Sequence, residues 1–199
     1  MLASGDGSNL QAIIDGPHAA GTIEVVGVAS DKSGARALTR AEAAGVATAA
    51  FARAEYPDRE DRDAAIADWL EELGAELIVL AGYMQLLSGS FIRRFPGRII
   101  NVHPALLPSF PGLDAVGQAL AHGVRVSGVS VHFVDEGVDT GPILLQEAVA
   151  LTYTRPMESL LDEIHAVEHR LLPHAIELIA AGRVSFDRKN PRLVRIADA

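Results

Sequence analysis

The chain contains no cysteine, which removes disulfides, a thiolate nucleophile and any Cys-based metal site, and leaves the compartment to be judged from other features. Long apolar runs are also missing. None approaches the length needed to cross a bilayer, and the N-terminus lacks the basic stretch and apolar core of a secretory signal, so cytoplasm is the expected location. Charge is not segregated either: the net charge is -9, but acidic and basic residues alternate along the chain, which argues against a nucleic-acid footprint. A small anion stays admissible, because backbone N–H groups at a helix start can hold phosphate whatever the net charge. There is no low-complexity tract, internal repeat or linker, and 49% of the 199 residues are hydrophobic. A single domain over residues 1–199 with a sizeable core is therefore expected.

What is present is an alternation of strand-like and helix-like segments. Residues 23–29 (IEVVGVA) form a β-branched run, 30–34 a turn, and 35–44 a helix that stops at Gly45, where a left-handed cap is expected. A short strand over 47–51, an amphipathic helix over 59–73 and a buried strand over 77–81 follow. Ser88 caps a short helix to Arg94, and 99–102 (IINV) is another buried strand. This pattern predicts an α/β fold with a doubly wound, mostly parallel sheet. The later part changes character. Runs at 126–134 and 143–149, joined by an acidic, Gly-rich loop, predict an antiparallel excursion; 157–181 predicts a long helix kinked at Pro173, and 183–196 a short hairpin. Only three residues precede the first glycine turn, so the first strand is either a stub or lacks part of its beginning.

Three segments could carry chemistry. SGDGSNL, residues 4–10, offers Gly5 and Gly7 for a tight turn, Ser8 as N-cap and a helix from Asn9, an arrangement suited to phosphate. The dinucleotide fingerprint needs a third glycine where this chain has Leu10, and such a turn, taken alone, is as often only a turn. NVHPALLPSFPG, residues 101–112, places Asn101 and His103 at the C-terminal end of a buried strand, the edge where open α/β sheets gather ligands. A chain leaving the strand there turns both side chains into one crevice, and Pro104, Pro108 and Pro111 stiffen the loop beyond. VHFVDEGVDTG, residues 131–141, puts Asp135, Glu136 and Asp139 on a loop after a strand; a carboxylate beside an imidazole fixes its tautomer and favours its cation. The plainer readings are a capped histidine at a strand end and a turn aspartate.

Taken together, SGDGSNLQAII, NVHPALLPSFPG and SVHFVDEGVDTGPIL resemble the glycinamide ribonucleotide formyltransferase family over nearly the whole chain. The resemblance implies a formyltransferase-like, Rossmann-type fold in which residues 1–100 bind phosphate and 101–199 carry catalysis and folate contacts. It implies Asn101, His103 and Asp139 as the catalytic set, and Gly7, Ser8, Asn9 and Glu168 as contacts to the ribonucleotide. It also implies folate contacts from Arg59, Met84, Gln85, Leu86, Leu87, Asn101, Asp135, Glu136, Val138 and Asp139. The co-substrate is 10-formyltetrahydrofolate, no metal takes part, and the partners are small molecules rather than nucleic acid or membrane, with a homodimer left open. Asp114 stands where the family often has histidine, and Gln85 where arginine is commoner. The implied reaction is direct attack of the substrate amine on the formyl carbon. Asn101 and the imidazolium of His103 donate to the developing oxyanion, and Asp139 relays the amine proton through water.

Rival readings are a formyl-folate hydrolase that releases formate and a non-catalytic phosphate-binding module. His165, Glu168 and His169 also match the H-x-x-E-H zinc pattern, but nothing designates a third protein ligand. His18, His122, His132 and His174 read as surface or packing residues, and no G-x-S-x-G elbow marks a serine nucleophile.

Overall fold

The computed structural model describes residues 1–154 and 156–197. It comprises two compact units, Met1–Asn101 and Val102–Ala199.

In the first unit, β1 (Gly27–Ser30) runs parallel to β2 (Ala47–Ala50), and β3 (Ile78–Leu80) runs parallel to β4 (Ile99–His103). Leu2 joins the two pairs, bridging Ala29 on one side and Leu80 on the other, both in parallel sense. The resulting order, β2, β1, Leu2, β3, β4, is that of a doubly wound sheet whose direction of growth reverses at Leu2. Residues of β1 and β3 are buried throughout, as expected of strands covered on both faces. The strand anticipated over 23–29 begins only at Gly27, because the Ile23 N–H donates to the Pro17 carbonyl and the Val25 N–H to His18 Nδ1, taking these backbone groups out of the ladder.

Side-chain caps set the starts of two helices. Asp58 accepts from the Asp61 N–H at 2.9 Å to begin α3 (Arg59–Glu72), and Ser88 accepts from the Phe91 N–H at 3.3 Å to begin α4 (Gly89–Arg94). Before them in chain order lie α1 (Ser8–Ile13) and α2 (Arg36–Ala43), the latter followed by Gly45 at φ 73° as anticipated.

In the second unit, β5 (Val126–Phe133) pairs antiparallel with β6 (Ile143–Ala150). The register slips at one point: Val131 faces Leu145 but His132 faces Ile143, so Leu144 is the extra residue of a bulge. The long helix α6 (Met157–Ala180) continues past Pro173 and packs on both strands, burying Ile164, Val167, Leu171, Ala175 and Leu178 at helical spacing. The expected terminal hairpin is formed by β7 (Val184–Phe186) and β8 (Val194–Ile196). A helix that periodicity did not reveal, α5 (Ala115–His122), starts at Asp114, whose carboxylate accepts from the Gly117 N–H, and ends at Gly123. Among the described residues no helix is long and apolar enough to cross a membrane.

Candidate functional site

His103 is the last residue of β4 and is almost fully buried. Its Nδ1 lies 3.4 Å from Asp139 Oδ2, and its Nε2 lies 2.8 Å from the Phe110 carbonyl. Both ring nitrogens thus face oxygen atoms. Asn101 stands two residues earlier. The strand does not end between them, as the sequence suggested it would, so the two-residue period of β4 itself sets both on one face.

Asp139 is the centre of this cluster. Its Oδ2 also accepts from the Gly112 N–H at 2.7 Å, while Oδ1 lies 3.5 Å from His132 Nε2. Burial pushes the Asp139 carboxyl up, but hydrogen bonding from His132 and Gly112 and the charge of His103 and His132 outweigh it, holding the group below the ordinary carboxylate range. His132 therefore belongs to the cluster and is not merely a packing residue. Its Nδ1 is tied to the Phe133 carbonyl at 2.9 Å, which leaves Nε2 toward the aspartate. In the sequence His132 is one of several polar residues on β5, with Ser127 and Ser130, and only its ionisable ring seven residues before Asp139 sets it apart.

The loop holding Asp139 is built for close approach. Asp139 adopts φ 52°, and a Cβ on Gly141 would fall 1.8 Å from the Phe133 carbonyl oxygen. Asp135 closes the loop rather than facing outward, accepting from the Gly137 N–H at 3.1 Å and the Thr140 hydroxyl at 2.6 Å. Glu136 and Val138 are exposed on it. Glu168 is buried on α6, and next to it the rings of His165 and His169 stack nearly parallel. Burial pushes the His169 imidazole down against the opposing charge of Glu168. Among the described residues, no three His, Asp or Glu side chains converge as metal ligands.

In the first unit, Gly7 takes φ 76° and is itself the N-cap of α1, so Ser8 is the first helical residue and not the cap. A Cβ at Gly7 would lie 2.8 Å from Ala37 Cα, so only glycine lets the turn close against α2. Arg36 and Arg40 clamp Asp6 of the same turn, and hydrogen bonding from Arg40 holds that carboxyl low. Ser4 links the turn to the segment after β3: its N–H donates to the Gly82 carbonyl and its hydroxyl accepts from the Met84 N–H. On that segment Met84 and Leu86 are exposed, whereas Gln85 turns inward. Gln85 receives Arg62 Nη1 on its oxygen at 3.3 Å and donates its amide to Asp31 at 3.0 Å. Arg62 is buried against Asp63, whose other oxygen accepts from the Ser88 N–H. Burial pushes the neighbouring Tyr83 phenol up to about 12. Arg59 opens α3 half-exposed, 3.7 Å from Glu60. Arg62 and Asp31 escaped the sequence reading because single charged residues carry no periodic signal.

A family model described as formyl transferase matches residues 1–176. The chain belongs to the formyl transferase family. This family member is 41% identical over 182 residues to phosphoribosylglycinamide formyltransferase of Bacillus subtilis, covering 89% of this chain and 91% of that one. It is 43% identical over 185 residues to the trifunctional purine biosynthetic protein adenosine-3 of Gallus gallus, covering 92% of this chain but 18% of that protein's length. The chain thus spans about a fifth of such multifunctional relatives. The solved structure of glycinamide ribonucleotide transformylase 1 from Symbiobacterium toebii superposes with a TM-score of 0.93 at 48% identity, over 99% of this chain and 92% of that one.

Proposed function

We propose that the protein transfers the formyl group of 10-formyltetrahydrofolate to the amine of glycinamide ribonucleotide in de novo purine biosynthesis. The observation that carries this reading is the His103–Asp139 pair, within a family member about 40% identical to phosphoribosylglycinamide formyltransferases over most of its length. Amine attack on a formyl carbon places negative charge on the former carbonyl oxygen, and hydrogen-bond donors aimed at that oxygen are the main means of lowering the barrier. Asn101 and His103 share a strand face and supply such donors. To donate from Nε2, His103 gives up the Phe110 carbonyl, while Nδ1 keeps its contact with Asp139. Asp139 holds the ring and accepts, through water, the proton released by the amine; collapse of the intermediate then breaks the bond between the formyl carbon and folate N10, which leaves with that proton as tetrahydrofolate. No covalent enzyme intermediate and no metal enter this scheme.

In Met1–Asn101, Gly7, Ser8 and Asn9 take the substrate phosphate, and Met84, Gln85, Leu86, Leu87 and Arg59 serve folate binding, Gln85 through the inward hydrogen bonds that shape its segment. In Val102–Ala199, Glu168 binds the ribonucleotide, and the loop bearing Asp135, Glu136 and Val138 contacts the folate. The proposed location is the cytoplasm; a homodimer is decided by measuring the mass in solution.

The test is spectroscopic assay of formyl-folate consumption with and without glycinamide ribonucleotide. Consumption that depends on the ribonucleotide and yields the formylated amide supports the proposal. Formate release without it points to a hydrolase, and ribonucleotide affinity without turnover points to a binding module.

A further inference from the structure

The segment between β3 and α4 bears Met84, Gln85, Leu86 and Leu87, yet residues 82–87 form neither helix nor strand. With no ladder to define it, the path of this segment depends on tethers to neighbouring elements. Ser4 holds one end, donating its N–H to the Gly82 carbonyl at 3.0 Å and accepting from the Met84 N–H at 2.9 Å. Asp63 of α3 holds the other, accepting from the Ser88 N–H at 2.6 Å. Between these ends the Gln85 side chain is a further tether, joined to Arg62 and to Asp31. With Gln85 drawn inward, its two neighbours Met84 and Leu86 stand exposed.

Arg62 sets the direction of that tether. It is 2% exposed, and a guanidinium so far from water has to meet acceptors along its edges. Nε and Nη2 converge on Asp63 Oδ1 at 3.2 and 2.8 Å, and Nη1 reaches Gln85 Oε1 at 3.3 Å. One rigid plane therefore serves two partners: the ion pair with Asp63 fixes the plane, and the plane aims Nη1 at Gln85. A guanidinium offers no acceptor, so the Gln85 oxygen must face Arg62 and its amide nitrogen must face Asp31, 3.0 Å away. Glutamine suits the position because it accepts at one atom and donates from the other; an arginine there would have nothing to offer Arg62.

We infer that Arg62 is a positioning residue for the folate co-substrate: its guanidinium, fixed by Asp63, turns Gln85 inward and so sets how residues 84–87 meet formyl folate. Arg62 acts through Gln85, from beneath the segment. The inference rests on the formyl-transfer reading, which assigns this segment to folate binding.

The experiment compares wild type with Arg62→Lys, Gln85→Met and the double variant. Lysine keeps a charge beside Asp63 but lacks the planar fork that reaches Gln85 at the same time. Methionine keeps the length of Gln85 and removes its donor and acceptor. KM for 10-formyltetrahydrofolate and for glycinamide ribonucleotide, kcat and Tm are measured for each. Arg62→Lys should raise the folate KM roughly 10-fold, the order of one hydrogen bond to a charged group, and leave the ribonucleotide KM unchanged. Gln85→Met should act in the same direction, and the double variant should be no worse than Gln85→Met. An unchanged folate KM in Arg62→Lys overturns the inference. So does a rise in both KM values with a fall in Tm, which marks a purely structural role, and so do multiplicative effects in the double variant. If Arg62→Lys does not fold, the paired variant Asp31→Asn/Gln85→Glu decides, because it conserves total charge, keeps an acceptor toward Arg62 and reverses only the second hydrogen bond. A folate KM near wild type then supports the inference, and one as high as that of Gln85→Met overturns it. Wild-type turnover is a separate readout: no ribonucleotide-dependent formyl transfer defeats the formyl-transfer reading, whereas transfer with the same folate KM in every variant defeats only this inference.

Discussion

Asp139 is held from three directions, by His103, His132 and the Gly112 N–H, on a backbone at φ 52°. Asparagine tolerates that conformation, so Asp139→Asn isolates the loss of charge from backbone strain. Its kcat should fall. His103→Ala should cost roughly 100- to 10,000-fold, the usual range for acid–base groups, and the double variant should be little worse than His103→Ala because the two act as a unit. Fully multiplicative losses in steady-state kinetics would separate them. The same carboxylate makes a pH prediction. Because its folded-state pKa is depressed, its stabilisation is fully present above the unfolded value of about 4 and disappears as pH falls through the lower folded value. Thermal melts of wild type should lose more stability between pH 7 and pH 3 than those of Asp139→Asn; parallel curves would refute the assignment. Gly7 supports a third test at this scale. Gly7→Val forces a left-handed non-glycine and a contact with Ala37, costing about 1 kcal/mol or more in stability, and should raise the ribonucleotide KM far more than the folate KM. Equal changes in both would place the phosphate elsewhere.

Helix and strand identities were largely legible because they rest on periodicity and caps. Ser88 begins α4 and Gly45 follows α2 as their residue types dictate, and the apolar stripe of α6 reads at once. Boundaries failed where a side chain competes for the backbone, as when His18 takes the Val25 N–H that would have extended β1. Helix α5 was hidden because the proline-rich loop before it dominated the local reading and its cap, Asp114, sits in a rare left-handed conformation. The site was legible in part: His103 and Asp139 come together as expected, but His132 looked like any polar residue on a strand, and its role depends on the fold of the loop. Capping also predicts energetics. Asp58→Ala removes the acceptor for the Asp61 N–H and should cost about 1 kcal/mol, read as a lowered urea midpoint with an unchanged m-value. A midpoint equal to wild type would show that the start of α3 is secured by other contacts.

Chelation should leave formyl transfer unchanged at the scale of the whole molecule, since the proposed chemistry draws only on side chains and the formyl folate. Activity lost on chelation and restored by zinc would reopen the case for His165, Glu168 and His169. A kinetic consequence follows from Leu2, which sits between β1 and β3 and is completely buried. Its partners, Ala29 and Leu80, become available in turn along the chain, so the middle of the sheet in the first unit closes only after β3 exists. Local helices can form early, but they have no finished sheet to cover until that long loop is closed, and such non-local pairing slows folding. Leu2 is thus a latch fastened late: until it engages, the apolar edges of β1 and β3 stay open to aggregation while the chain is being made.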